Sequence, residues 1–568
     1  METLEQIVKT IRSNPNLEFL LRDLNWLYDQ YCVDKIPQLT YSMYFDFNTT
    51  GNRKHYETQY FAKRARLNTL AMKVMLEGET YVRELENILW SICDEATWCV
   101  PAHMDYSRPF DFNRIDLFAA ETGFALSEIC TLLQDKLDKL VVNRVGHELQ
   151  ERIIQSYLNT HFAWEQWTTN WSAVCAGSVA ITFMYAAPQR YQEIATRIEQ
   201  TMECFLSGYG EEGVCEEGYM YWKYGFGFFV YFADHLYRFT QGKKDWFALE
   251  KVAKIAEYQQ NIFLTKTSVA SFSDSSPEAA HYIGLTSYLH NRYKERVVML
   301  PLDVAANYAQ RHNGDNCFRW GTFFRNFLWY STDTINPTQN RLSAFTYYDS
   351  CQWFFKRAKR FSFAAKGGHN NEPHNHNDVG SFILCDDSEQ ALCDLGAGEY
   401  TKEYFGKERY QIFCNSSLSH NVPIINGTGQ CAGAQHKATV LTVTETQFKI
   451  ELAQVYVVEG MQHFTRQFDV ADDFIQLTDT FVGEQLHVTE RFITRQKPLS
   501  DGNAIILSYF RITVENADYN LRSNKYVNHS SAEEEVYCLD FQVRDVSIPF
   551  RMKITLSASP PSMNRDIT

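Results

Sequence analysis

Apolar residues recur through the first part of the chain with the spacing of one helix face. Tyr81, Leu85, Ile88, Leu89 and Ile92 stand at i, i+4, i+7, i+8 and i+11, a single helical stripe. Comparable stripes run through 115–142, 147–160, 171–185, 189–206, 225–240 and 245–263, with short breakers at Ala187-Pro188, Gly208-Tyr209-Gly210 and Gly242. Helices of similar length joined by short loops predict a bundle or a toroid of helical hairpins. No repeat of fixed period underlies them. Near 335–345 the texture changes. After Asn336-Pro337 the stripes stop and period-two alternation takes over, as in Val440–Thr444, Phe448–Leu452, Phe474–Thr478 and Val488–Phe492. The predicted class is α+β and multidomain. A helical domain is expected over 1–335 and an antiparallel β-sandwich over 336–568, with the space between them the natural place for a cleft.

The chain has 568 residues, which agrees with two domains. Its 15% aromatic content suits sugar-binding faces, but a large core explains it more simply. The net charge of −15 argues against a nucleic-acid binder. It also means that any anionic polymer must meet a local basic or metal-bearing patch. The start, METLEQIVKTIRSNPNLEF, has no basic n-region, long apolar stretch or cleavage site, so no signal peptide is expected. No apolar run is long enough to predict a membrane span. The 14 Cys are scattered with no CxxC pair and read as small buried hydrophobes of a reducing compartment. A cytoplasmic location is expected, with a secreted or periplasmic protein whose leader was removed as the alternative.

Chemistry concentrates in Lys366-Gly-Gly-His-Asn-Asn-Glu-Pro-His-Asn-His-Asn-Asp-Val-Gly-Ser-Phe382. So many polar groups could not all be satisfied in a dry interior, which leaves a site or a solvated loop. His374 and His376 are two apart, so an extended backbone would point both to one side. The chain then runs up a strand, turns at 386–389 and returns through Ala391–Leu395, which brings Asp394 back towards the strand's start. His420 stands at the mouth of a further strand. Two imidazoles and a carboxylate suit a Zn²⁺-type site with an open or water-filled position. Two internally satisfied histidines and a structural Asp are the other reading. In the helical half, Tyr219, Tyr221, Trp222 and Tyr224 crowd between glycines, and Asn170 heads an apolar helix. On composition alone, a helix cap for Asn170 and core aromatics for the rest explain these better.

These residues carry a resemblance. Gly368–Phe382 resembles the signature of the heparinase II/III-like polysaccharide lyases. The similarity continues through Asp394–Thr401, Arg409-Tyr410 and Ser419–Gly427, and in the helical half at Asn170-Trp171 and Glu217–Gly225. Family-like order covers roughly residues 60 to 540. The resemblance implies an N-terminal (α/α) toroid, a β-sandwich, and cleavage of uronate polymers such as heparan sulfate, chondroitin, hyaluronan or alginate. It implies that Asn170 neutralises the uronate carboxylate and that Tyr224 is the catalytic tyrosine, with His374 as the second proton-transfer residue. His376, Asp394 and His420 would bind a divalent metal, usually zinc, with Mn²⁺ or Ca²⁺ as alternatives. Tyr404 falls where some members have a cleft tyrosine. Many relatives are exported. The leaderless start shifts the expected substrate towards imported oligosaccharides and exolytic attack.

β-Elimination removes the C5 proton of a uronate and expels the C4 oxygen. A hydrogen bond from Asn170 would stabilise the developing enolate. Tyr224 could serve as base and acid when both groups lie on one face. Otherwise His374 takes the C5 proton while Tyr224 donates. As a base, a phenol needs nearby positive charge, because its ordinary pKa is about 10. The metal is expected to be structural, aiming His374 from behind. Trp222 and Tyr219 could stack on a sugar, and His103 and Arg409 could meet anionic groups. The rival readings are a uronyl C5-epimerase on the same scaffold and a non-catalytic carbohydrate-binding protein. No nucleic-acid or membrane partner is expected, and a homo-oligomer is left open.

Overall fold

The computed structural model of the chain describes residues 3–107, 111–265, 267–278, 281–298, 317–331, 342–387 and 389–557. The domain boundary expected at 335/336 lies outside them, as does Ser388 in the expected turn. The chain forms two compact units. One comprises Met1–Tyr209, Tyr221–Glu257 and Ala280–Asn340; the other comprises Gly210–Met220, Tyr258–Ala279 and Arg341–Thr568.

The first unit is helical, and the expected stripes form helices. Val82–Cys93 buries Leu85, Ile88, Leu89 and Ile92. Stripe 115–142 breaks into Leu117–Leu132 and the start of Lys139–Leu149, 147–160 is a π-helix, Gln150–Gln155, followed by Ser156–Asn159, and the rest give Asn170–Ala186, Tyr191–Ser207, Gly227–Phe239 and Glu250–Ile262. Asn170–Ala186, like Leu117–Leu132, is buried on nearly every side, as a helix enclosed by others must be. Small residues make that enclosure possible. A Cβ at Gly177 would lie 3.2 Å from the carbonyl of Phe228, and one at Gly123 would lie 2.8 Å from Ile153. The N-cap position is Thr169, not Asn170, and its side chain accepts no capping hydrogen bond from the first turn. Among the described residues, no helix is long and apolar enough to cross a membrane.

The second unit is built from antiparallel sheets. A five-stranded sheet runs Phe345–Tyr348, Trp353–Arg357, Ser362–Lys366, Phe382–Cys385, Gln390–Leu392 in spatial order. An eight-stranded sheet includes Thr439–Thr444, Gln447–Glu451, Met461–Val470 and Phe474–Gly483, and a four-stranded sheet includes Val488–Thr494. The alternation read from the sequence is the burial pattern itself. Along Phe474–Gly483 the buried residues are Ile475, Leu477, Asp479 and Phe481. Phe354, Phe363, Phe382, Phe448, Phe468, Phe492 and Phe550 share one core between the sheets, where much of this unit's aromatic content goes.

A charge cluster braces this core. Arg466 is fully buried and donates to Asp479 at 2.6 Å and Glu490 at 2.9 Å. Its other nitrogen donates to the carbonyls of Gly380 and Asn421, at 2.9 and 2.7 Å. Those carbonyls belong to the two loops that carry the histidines, so a buried ion pair in the sheet fixes the loops above it. Asn421 adds a second clamp. Its amide donates to the carbonyls of Phe382 and Cys393 and accepts from the Ile493 N–H. None of the 14 Cys is in a disulfide, and most are buried.

Candidate active site and metal cluster

In the helical unit, Tyr224 lies in a π-helical turn, Trp222–Phe226, between Tyr219–Tyr221 and Gly227–Phe239. Such turns are rare and recur at functional positions, because the extra residue re-aims side chains. The Tyr224 hydroxyl donates to Glu121 Oε1 at 2.5 Å. The guanidinium of Arg319 lies 3.8 Å above its ring and its Nε is 3.4 Å from Glu121. Burial pushes the phenol well above its ordinary pKa, and Glu121 adds to that, while Arg319 opposes it. The hydroxyl therefore rests protonated, as an acid needs, and Arg319 supplies the positive charge that a tyrosinate would require.

Gly225 brings Asn170 to the same place. A Cβ at Gly225 would lie 2.9 Å from Asn170 Cβ, so the turn carrying Tyr224 packs directly on the head of helix Asn170–Ala186. Trp171 lies 4.8 Å from the ring of His103, which stacks on Phe118. His103 Nδ1 is 2.7 Å from Asp116, the carboxylate that also caps helix Leu117–Leu132. Its anionic partner is thus part of the fold. Trp222 and Tyr219 correct the expectation of sugar stacking. Both are 0% exposed: the Trp222 indole donates to the Ile255 carbonyl at 2.8 Å, and Tyr219 packs edge-on against Phe263. A ring enclosed on both faces offers none to a sugar.

In the sheet unit the histidine loop is a turn rather than an extended strand. His374 has φ +57°, a left-handed conformation uncommon for a residue with a side chain. Gly368 at φ +75° is needed for a different reason, since a Cβ there would overlap the Glu372 carboxylate. His374 and His376 nonetheless reach one group, through a residue the sequence did not single out. Asp274 is fully buried. Its Oδ2 lies 2.8 Å from His374 Nδ1 and its Oδ1 lies 2.9 Å from His376 Nε2. The Tyr404 hydroxyl donates to Oδ1 at 2.5 Å, and Arg409 lies 3.0 Å from both oxygens. Burial alone would raise this carboxyl, but its partners hold it well below the usual range.

The roles expected for Tyr404 and Arg409 change accordingly. Tyr404 is 0% exposed and bonded to Asp274, so it lines no cleft. The anion that Arg409 meets is Asp274, and its remaining donors go to the carbonyls of Tyr404, His374 and Asn375. The sequence offered one faint signal for Asp274: a carboxylate inside the serine run Ser271–Ser276. Glu121 and Arg319 had none.

His376, Asp394 and His420 come together as expected. One ligand atom from each lies within 4.8 Å of the others, and all three residues are fully buried. His420 Nδ1 is 3.0 Å from Asp394 Oδ2, and its Nε2 is 3.1 Å from the Cys414 carbonyl. That carbonyl can only accept, so Nε2 carries a proton and Nδ1 faces the carboxylate. Burial alone would lower the His420 pKa, but Asp394 raises it, so a proton on Nδ1 or a metal ion in its place satisfies that contact. His376 uses Nε2 on Asp274, and its buried Nδ1 has no hydrogen-bond partner. An orphaned imidazole nitrogen beside a carboxylate and a second imidazole suits a metal ion. Burial lowers the His376 pKa, which keeps it a neutral donor. The cluster is sealed, whereas the His374 side chain is 24% exposed. The histidine loop thus separates one imidazole that can meet solvent from one that cannot.

Residues 340–533 match the family described as heparinase II/III-like, C-terminal, so the resemblance read from the sequence holds there. Solved structures share the fold over nearly the whole chain. A crystal structure of heparinase III aligns over 98% of this chain and 89% of its own, at 13% identity and a TM-score of 0.64. A mutant of heparan sulfate lyase HepC from Pedobacter heparinus aligns over 98% and 88%, at 12% identity and 0.58. The chondroitin AC lyase of Streptomyces coelicolor A3, in complex with chondroitin sulphate, aligns over 96% and 80%, at 9% identity and 0.53. No curated protein sequence matches. The expected class, a helical toroid followed by antiparallel β-sandwich sheets, is the one these structures share.

Proposed function

We propose that this protein is a polysaccharide lyase that cleaves uronate-containing glycans by β-elimination. One observation carries the reading. Of the two histidines in the family motif, His374 is accessible and held by a buried carboxylate, while His376 is sealed into a metal-suited cluster. A binding protein has no need for that division. The fold shared with heparinase III and chondroitin AC lyase supports the same reading.

In the proposed reaction Asn170 hydrogen-bonds the uronate carboxylate as charge develops on it. The C5–H bond breaks, with its proton passing to Nε2 of His374 or, when both groups lie on one face, to the Tyr224 oxygen after its own proton has moved to Glu121. Its electron pair becomes the C4–C5 double bond. The C4–O bond breaks, and the leaving oxygen takes a proton from the Tyr224 hydroxyl. One product carries an unsaturated uronate and the other a new hydroxyl. His376 Nδ1, Asp394 and His420 Nδ1 would hold a divalent ion, zinc by this donor set, which ties the loop of His376 to those of Asp394 and His420.

The test is an ultraviolet assay across heparan sulfate, chondroitin, hyaluronan, alginate and their short oligomers, with product masses read by mass spectrometry. New absorbance with products of unsaturated mass is expected on at least one. Proton exchange at C5 without new absorbance would instead identify a C5-epimerase, and neither signal on any substrate would remove the reading.

A further inference from the structure

The carboxylate of Asp274 meets two imidazoles by different nitrogens: Nδ1 of His374 and Nε2 of His376. A carboxylate that also accepts from Tyr404 and Arg409 is ionised and accepts only. Each imidazole must therefore present an N–H to it. That fixes two opposite tautomers at once. In its neutral form His374 carries its proton on Nδ1 and keeps the lone pair on Nε2, while neutral His376 carries its proton on Nε2 and keeps the lone pair on Nδ1. The first lone pair belongs to the histidine that is partly exposed, and the second to the one in the sealed cluster.

We propose that Asp274 is a positioning residue for the proton-transfer step: by holding both imidazoles it sets the tautomer that lets His374 accept a proton and the tautomer that lets His376 bind a metal. This rests on the lyase reading given above. The fold holds Asp274 closely. Its chain neighbour Ser275 lies where a Cβ at Gly396 would overlap its carbonyl oxygen, and Ser271 donates to the Asp394 carbonyl at 3.1 Å. The segment bearing Asp274 thus rests on the turn that follows the metal-cluster carboxylate. Ser273, at φ +63°, donates to the Glu216 carbonyl at 3.0 Å and locks the other side. Arg409 bridges both carboxylate oxygens and the carbonyls of residues 374 and 375, so the carboxylate and the histidine backbone are fixed to one guanidinium.

Aspartate in this position does for His374 what a buried carboxylate does for any catalytic imidazole: it selects the tautomer and the ring orientation without touching the substrate. Asparagine would fill the same space. Its amide can donate as well as accept, so it no longer dictates which nitrogen of either ring is protonated. In Asp274→Asn we expect kcat on the best uronate substrate to fall about 10–100-fold with KM changed far less. The melting temperature is expected to fall, because Arg409 loses its buried carboxylate, so the split between kcat and KM is read on the folded protein well below it. Neutron crystallography of the wild-type protein reads the same claim without turnover: deuterium is expected on His374 Nδ1 and His376 Nε2 and absent from His374 Nε2.

Wild-type kcat in Asp274→Asn, or deuterium on His374 Nε2 with Nδ1 bare, would overturn the proposal. If Asp274→Asn does not fold, the neutron map alone decides. An inactive wild-type protein with the expected deuterium pattern would count against the lyase reading, leaving the tautomer assignment standing.

Discussion

Tyr224 and His374, the two groups proposed to transfer protons, are held by opposite means. The tyrosine is held by packing. It sits in a π-helical turn against helix Asn170–Ala186, under a guanidinium and bonded to one carboxylate. The histidine is held by hydrogen bonds. Its backbone is left-handed, its loop has no regular structure, and one buried carboxylate with four partners aims its ring. The difference follows from the scaffolds. Helices offer close-packed faces but few spare backbone groups. Loops at a sheet's end offer many polar groups but little packing, so side-chain networks must supply the rigidity.

The comparison breaks most directly at the phenol. Tyr224→Phe is expected to lower kcat by about 10²–10⁴-fold, with circular dichroism and melting close to wild type, because the ring still fills the turn. Activity near wild type would remove Tyr224 as the acid. His374→Gln should be selective. The loss is expected to reach about 10²-fold or more on uronates whose C5 proton and C4 oxygen lie on opposite faces, and to be small where Tyr224 can do both steps. Equal losses on both epimers, measured with defined oligosaccharides, would end the division of labour.

Smaller effects sharpen the contrast between packing and hydrogen bonding. His420→Ala leaves Asp394 buried without its imidazole and should cost about 3–5 kcal/mol in denaturant unfolding. Elemental analysis should find one equivalent of metal in wild type and little in the variant. Metal retained in full would disprove the ligand set. Glu121→Gln tests the electrostatics of the tyrosine. Burial and Glu121 raise its pKa while Arg319 lowers it. Activity that needs the protonated phenol is lost as pH rises through that pKa. Removing the negative neighbour should therefore move the alkaline limb of kcat to lower pH, and an unmoved limb would show that the limb is not Tyr224. The least effect is expected for Tyr219→Phe, with KM within about twofold of wild type, because the ring is enclosed. A large rise in KM would return Tyr219 to the sugar-binding surface.

How much of this was legible in advance varied with distance along the chain. The helices, the strands, the hairpin that returns Asp394 and the histidine-rich turn all express short-range patterns. The metal trio was within reach because its members stand on consecutive elements of one sheet region. The aromatic cluster at 219–224 was harder. Periodicity cannot tell a ring that packs from one that waits for a sugar, and the structure divides them: Tyr219 and Trp222 enclosed, Tyr224 on the site's carboxylate.

The amino-acid sequence by itself determined the order of helices and strands and which short segment carries the imidazoles, since spacing and residue type act over a few positions. Only the tertiary structure decided which carboxylates serve them. Glu121 lies 103 residues from Tyr224, and Asp274 lies 100 residues from His374. A partner at that distance leaves no periodic trace. It is chosen by which polar group the packed chain brings to a buried hydrogen that would otherwise have no acceptor.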